Sequence, residues 1–248
     1  MPAFATPTNR DRVIAADIPL EDGRELHGDW VIPVDAAGTV LFAHGSGSSR
    51  RSPRNQFVAR SLQAFGLGTL LFDLLTPDEE EADRLTGHLR FDVHLLARRL
   101  LAATAWFRGH SIGARQRFGY FGASTGAAAA LIAAAELGDQ VDAVVSRGGR
   151  PDLAGRALAQ VTAPTLLIVG GRDEGVIELN ELAYAKLGCT KELQIVPGAT
   201  HLFEEPGALA QVGMLAATWF ERHLGILSAV DASGRSAERT APILGRRQ

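Results

Sequence analysis

Arg117-Phe-Gly-Tyr-Phe-Gly122-Ala-Ser124-Thr-Gly126-Ala-Ala-Ala-Ala-Leu-Ile-Ala-Ala-Ala-Glu-Leu-Gly138 places a serine between two glycines, at the junction of two unlike segments. The first segment is short, aromatic-rich and bounded by breakers, which predicts a strand. The second is made of strong helix formers and stops at a glycine, which predicts a helix. A chain passing from one to the other here must turn sharply. Glycines at 122 and 126 allow close backbone approach, while the serine takes the strained conformation and its hydroxyl is pushed out at the positive end of the helix. The pattern reads as a nucleophile elbow. The alternative is a structural turn softened by glycine, so the reading depends on partners for the serine elsewhere in the chain.

Upstream, Gly38-Thr-Val-Leu-Phe-Ala-His44-Gly45-Ser46-Gly47-Ser48-Ser49 is an apolar strand that runs into a loop of small residues. Such a loop presents bare amides, and acyl transfer needs donors aimed at the oxyanion. The Ser46 and Thr125 N–H groups are the expected pair. The other readings of Gly45 to Ser49 are a flexible connection or a phosphate cradle, and the lack of a following Gly-Lys-Ser/Thr argues against a P-loop. His44 precedes the turn and is expected to orient the loop rather than act as a base.

Downstream, Ala163-Pro-Thr-Leu-Leu-Ile-Val-Gly170 reads as a buried parallel strand whose exit loop carries Asp173 and Glu174. An acid there can fix the tautomer of an imidazole, and Asp173 is the expected one. Glu174 is the adjacent alternative, and both acids could instead cap the helix that follows. Glu192-Leu-Gln-Ile-Val-Pro197-Gly-Ala-Thr-His201-Leu-Phe203 supplies a further strand and a loop histidine. His27, His88, His94, His110 and His223 read as structural. His201 completes the chain order serine, acid, histidine, which differs from the chymotrypsin and subtilisin orders. Parallel strands deliver such scattered residues to one edge of a sheet.

With these motifs in hand, the chain resembles the α/β-hydrolases. His44-Gly-Ser-Gly-Ser-Ser-Arg-Arg-Ser-Pro-Arg-Asn55 is similar to the oxyanion loop of the dienelactone-hydrolase-like branch. The resemblance runs from about Arg12 to Leu224. It implies Ser124, Asp173 and His201 as a triad above an eight-stranded, mostly parallel sheet. Dienelactone hydrolases use a cysteine nucleophile where this chain has serine, so the resemblance is stronger to serine-bearing relatives, some of which are fused to phosphoribosyltransferase domains; no segment of that kind is read here. Aspartate stands at this position in dehalogenase- and epoxide-hydrolase-type relatives, which disfavours those chemistries.

The remainder of the sequence agrees with one enzyme domain over 1–227 and a small, polar tail over 228–248, read as mobile or docked on a partner subunit. The net charge of −3 gives no electrostatic case for nucleic acid or an anionic membrane. No apolar run of membrane-spanning length and no secretory signal is apparent, so a cytoplasmic monomer or homodimer is expected. Cys189, the single cysteine, is expected to be an inert thiol near a helix end. Neither cofactor nor metal is expected.

An opening hairpin (Val13 to Ile18, Leu26 to Ile32) and six further strands alternate with helices near Gln56 to Ala64, His88 to Phe107, Ala127 to Leu137, Leu153 to Gln160, Ile177 to Leu187 and Pro206 to Leu224. This predicts right-handed crossovers and helices on both faces of the sheet. Only Arg147-Gly-Gly-Arg150-Pro-Asp separates the strand after the nucleophile helix from the next helix, which leaves no room for a large cap. The acidic run Asp78 to Asp83 reads as a solvated loop face. Arg50, Arg51, Arg54, Arg147 and Arg150 are expected at the catalytic edge, where forked guanidinium groups suit a carboxylate or phosphate; the other reading pairs them with Glu79 to Asp83. The expected function is hydrolysis of a small ester or lactone, an anionic one in the arginine reading, with activity rising as the base deprotonates. The rival is a non-catalytic protein of the same fold that binds a ligand or partner. A dinucleotide-binding oxidoreductase is disfavoured because Gly122 to Gly126 lacks the Gly-x-Gly-x-x-Gly spacing.

Overall fold

The computed structural model describes residues 11–225. The tail over 228–248 lies outside the described residues. The hairpin strands β1 (Arg12–Pro19) and β2 (Glu25–Ile32) are followed by β3 (Gly38–Ala43), β4 (Gly68–Phe72), β5 (Arg117–Ala123), β6 (Ala143–Arg147), β7 (Thr165–Gly170) and β8 (Lys191–Val196). They form one eight-stranded sheet in the order β1-β2-β4-β3-β5-β6-β7-β8. The β1/β2 and β2/β4 pairs are antiparallel and the other pairs are parallel. The alternation of elements predicted a parallel sheet, and the eight-stranded, mostly parallel form is the one that the resemblance to α/β-hydrolases implied.

The helices are α1 (Pro53–Ala64), α2 (Pro77–Thr86), α3 (Val93–Gly109), α4 (Thr125–Leu137), α5 (Glu174–Lys186) and α6 (Ala208–Leu224). The inner strands β3 to β7 are buried on both faces, and their side-chain alternation divides the core in two. On β3, Val40 and Phe42 face α1 and α6, packing with Val58, Leu62, Val212 and Phe220. Leu41 and Ala43 face the other layer, where Leu100, Phe107 and the alanines of α4 close the core. Alanine at 127–130 lets α4 lie close against the sheet with every one of those side chains at 0 % exposure.

Three local expectations are corrected. The acidic stretch is the helix α2: Thr76 accepts from the Glu79 N–H at 3.3 Å, while the Glu79 carboxylate accepts from the Thr76 N–H at 2.9 Å. This capping box and the proline at the first helical position start a helix that composition alone had obscured. The helix expected from His88 to Phe107 is split, with a 3₁₀ turn at Leu89–Phe91 ahead of α3. Pro151–Gln160 is 3₁₀ rather than α, broken at Gly155 with φ 54°.

Candidate active site

The elbow lies in the centre of the sheet, where β5 ends and α4 begins. Ser124 has φ 51° and ψ −121°, a region disfavoured for a side-chain-bearing residue. Its surroundings hold it there: the Ser124 N–H donates to Arg147 O at 3.3 Å, and Ser124 O accepts from the Ala127 and Arg150 N–H groups, each at 3.1 Å. The flanking glycines are dictated by contact. A Cβ added at Gly122 would stand 2.4 Å from Ala127 Cα, and one at Gly126 would stand 2.1 Å from the Ala43 carbonyl oxygen. The elbow and the loop after β3 are thus packed backbone to backbone.

That loop is held from both sides. Leu74 N–H donates to His44 Nε2 at 3.0 Å, which leaves Nδ1 as the protonated ring nitrogen, and Nδ1 donates to Gly45 O at 2.9 Å. Burial pushes the His44 pKa below its ordinary value, so this neutral tautomer is favoured. The loop-orienting role expected of His44 is the one its contacts support. Ser46 N–H donates to Thr125 Oγ1 at 3.0 Å, which brings the two residues of the expected oxyanion pair into contact. Thr125 stands in the first turn of α4, where an N–H has no intrahelical acceptor.

Asp173 and His201 meet in a 2.7 Å hydrogen bond between Oδ2 and Nδ1, with the carboxylate the more buried of the two. Asp173 occupies the N-cap position of α5, yet its side chain makes no cap hydrogen bond. Its carboxylate serves the imidazole, and Glu174 is exposed in the first helical turn. The His201 ring lies against Gly148, where an added Cβ would be 3.6 Å from Cε1. Gly148 begins the short passage from β6 to Arg150, whose amide binds Ser124 O. The imidazole and the serine therefore border the same turn. Among the described residues no hydrogen bond joins Ser124 Oγ to His201, a bond that in unliganded sites often tightens only with substrate.

The five arginines fare differently. Arg50 is ion-paired with Asp73, also donates its backbone N–H to Asp73 Oδ1 at 2.8 Å, and lies 3.3 Å from Asp29. Arg54 pairs with Glu204 at 3.0 Å, and Arg150 forks onto Asp152 at 2.9 and 2.8 Å. Arg51 is exposed. The acids named as alternative partners belong elsewhere: Glu79 pairs with Arg24 and Arg99, and Asp83 with Arg90. Arg147 is 7 % exposed, and its Nε and Nη1 have no hydrogen-bond partner among the described residues. Burial, with Arg54 nearby, lowers its pKa to about 10, so it remains a cation at neutral pH. Its guanidinium carbon is 5.9 Å from the centre of the Phe203 ring, in the segment just after His201.

A feature missed in the sequence is a cavity of about 220 Å³ between the His44–Ser48 loop and α2, reached by Glu80, Asp83 and Arg90. The signal that would have found its wall was Thr76-Pro-Asp-Glu79, the capping box of α2. Among the described residues no helix is long and apolar enough to cross a membrane.

A model of the dienelactone hydrolase family matches residues 57–228. A dienelactone hydrolase from Anabaena variabilis has a crystal structure with TM-score 0.84 and 56% identity, covering 87% of this chain and 99% of that one. A Pyrococcus furiosus esterase, 19% identical, shares the fold with TM-score 0.69 over 89% of this chain and 95% of its own. A Mycobacterium tuberculosis protein named "putative phosphoribosyl transferase" is 54% identical over 225 residues, which are 90% of this chain and 48% of that protein. The chain thus spans about half the length of that relative.

Proposed function

We propose that this chain, a member of the dienelactone hydrolase family, is a hydrolase that cleaves a small carboxylic ester or lactone through Ser124, His201 and Asp173. The observation that carries the reading is the strained Ser124, at φ 51° on a strand-to-helix turn, bordering the same passage as a histidine already bonded to a carboxylate at 2.7 Å. His201 takes the Ser124 proton as Oγ bonds the carbonyl carbon and the C=O π pair moves to oxygen. Collapse of that intermediate re-forms the carbonyl and breaks the bond to the alcohol, which leaves with the proton from His201. Water, deprotonated by the same ring, then releases the acid and returns the hydroxyl to Ser124. Asp173 holds the ring with Nε2 toward the serine and stabilises its protonated form. No phosphoribosyl transfer is proposed, because the relative that carries that name is matched over only 48% of its length.

A fluorophosphonate probe is expected to label the wild type at one site and to leave Ser124→Ala unlabelled, as read by intact mass. A wild type that stays unlabelled would instead support the non-catalytic reading of the fold.

We propose further that the substrate is anionic, and that Arg147 favours it. Of the arginines set at this edge, Arg50, Arg54 and Arg150 have carboxylate partners, whereas Arg147 is a buried cation with nitrogens left unpaired. Such a group is costly unless an anion approaches it. Arg147→Ala is expected to lower kcat/KM for a carboxylate-bearing p-nitrophenyl ester by at least about tenfold more than for its neutral analogue. Equal losses in the two assays remove the proposal.

A further inference from the structure

We infer that the side-chain hydroxyl of Thr125, and not only its amide, donates to the oxyanion, with Ser46 acting through it as a positioning residue; the inference rests on the Ser124 reading above. Its basis is the 3.0 Å bond from Ser46 N–H to Thr125 Oγ1. An amide has a single hydrogen, and in this structure the Ser46 hydrogen is given to Thr125 Oγ1. A hydroxyl that accepts still has its own hydrogen to give. Thr125 is 4 % exposed, and among the described residues that hydrogen meets no acceptor. Thr104 and Thr165, also buried, direct theirs to Leu100 O and Ala163 O. A buried donor left open beside the nucleophile awaits a partner that the reaction supplies.

The placement follows from the fold. Gly126 lets the elbow press against the Ala43 and His44 carbonyls, which carries the loop amide at Ser46 to the side chain of the residue after the nucleophile. Thr125 then offers two donors from one residue, its N–H at the start of α4 and its Oγ1–H. Accepting from Ser46 polarises the hydroxyl and makes it the better donor. Because the negative charge on the carbonyl oxygen exists only in the transition state and the tetrahedral intermediate, the hydroxyl should act on kcat rather than on KM.

Steady-state kinetics on p-nitrophenyl acetate with Thr125→Val, Thr125→Ala and Thr125→Ser test this. Valine keeps the shape and removes the hydrogen; its kcat is expected to fall about 100-fold, with KM held within about threefold. Serine restores the hydroxyl and is expected to regain at least about tenfold of that loss. Affinity for an aryl trifluoromethyl ketone, whose hemiketal oxygen becomes anionic in the site, should fall in proportion to kcat/KM across the three variants, a correlation that a merely structural role would not produce. Should Thr125→Val fail to fold by circular dichroism, Thr125→Ala carries the same comparison. A valine variant that turns over within about twofold of wild type, or an alanine variant that exceeds it, overturns the inference, the second result showing the hydroxyl to be a plug. A wild type that neither reacts with the fluorophosphonate nor hydrolyses the ester overturns the Ser124 reading itself.

Discussion

At the scale of single residues the site is a set of side chains held by backbone. Ser124 is fixed by three main-chain hydrogen bonds, so its position owes nothing to its own hydroxyl. Asp173, by contrast, matters for one bond, the 2.7 Å contact to His201 Nδ1. In Asp173→Asn the negative charge is lost and the side-chain NH2 can donate to Nδ1, which favours the wrong tautomer with the proton on Nε2. We expect kcat to fall by roughly 10³–10⁴-fold while fluorophosphonate labelling slows but still maps to Ser124. Retention of more than about a tenth of wild-type turnover would remove Asp173 from the proposed triad. The types and order of these residues were readable in advance, because Gly-x-Ser-x-Gly, the exit acid and the late histidine each follow an apolar strand. The bond from Ser46 to Thr125 Oγ1 was not readable, since it depends on the close seating of the elbow on the loop after β3 and on the rotamer of a side chain chosen only for its amide.

At the scale of elements, strands were legible and helices less so. The inner strands are apolar runs between breakers, and the two hairpin strands were placed within one residue of their observed ends. α2 was hidden because Asp78 to Asp83 is dense in like charge, which reads as solvated loop. Its stability comes from its N-terminus, where Thr76 and Glu79 satisfy each other's amides and three acids sit at the positive end of the helix. Glu79 also reaches Arg24 and Arg99, tying the helix to the hairpin turn and to α3. Loss of the cap in Thr76→Ala is expected to cost about 1 kcal/mol. For a domain of this size that corresponds to a fall in Tm of about 2–4 °C, read by calorimetry. An unchanged Tm would mean that the two ion pairs alone hold α2. The 3₁₀ turn at Leu89–Phe91 ahead of α3 went unseen for a related reason: Asp83 is 1 % exposed and receives the Leu89 N–H and the Arg90 guanidinium, contacts six and seven residues away that follow no helical periodicity.

For the molecule as a whole, the pH dependence of stability follows from its buried imidazoles. His44 has its folded pKa lowered by burial from 6.5, and His223 is lowered by burial with Arg222 beside it. The unfolded chain therefore binds more protons than the fold below pH 6.5. The stabilisation from keeping these rings neutral is fully present above that pH and is lost as pH falls through it, by up to about 1.4 kcal/mol per pH unit for a ring that stays neutral in the fold. The carboxylates with lowered pKa values lose their contribution in the same direction but mainly below about pH 5, so the interval from pH 6.5 to 5 reports the histidines. Tm is expected to decline across it, and the decline should be shallower in His44→Gln. A Tm independent of pH between 7 and 5 would contradict the buried neutral assignment. A mostly parallel sheet with helices on both faces was implied by alternating strands and helices, whereas the strand order β1-β2-β4-β3-β5-β6-β7-β8 was not read from the sequence.

The tight seating of Gly126 on the carbonyls of Ala43 and His44 has one more consequence. The elbow that carries Ser124 and the loop after β3 are seated with no room for a side chain between them, so neither can be displaced without moving the other. Redesign aimed at a bulkier or differently shaped acyl group must leave both stretches untouched. Room for new specificity lies around them, in the cavity beside α2 and along the segment after His201.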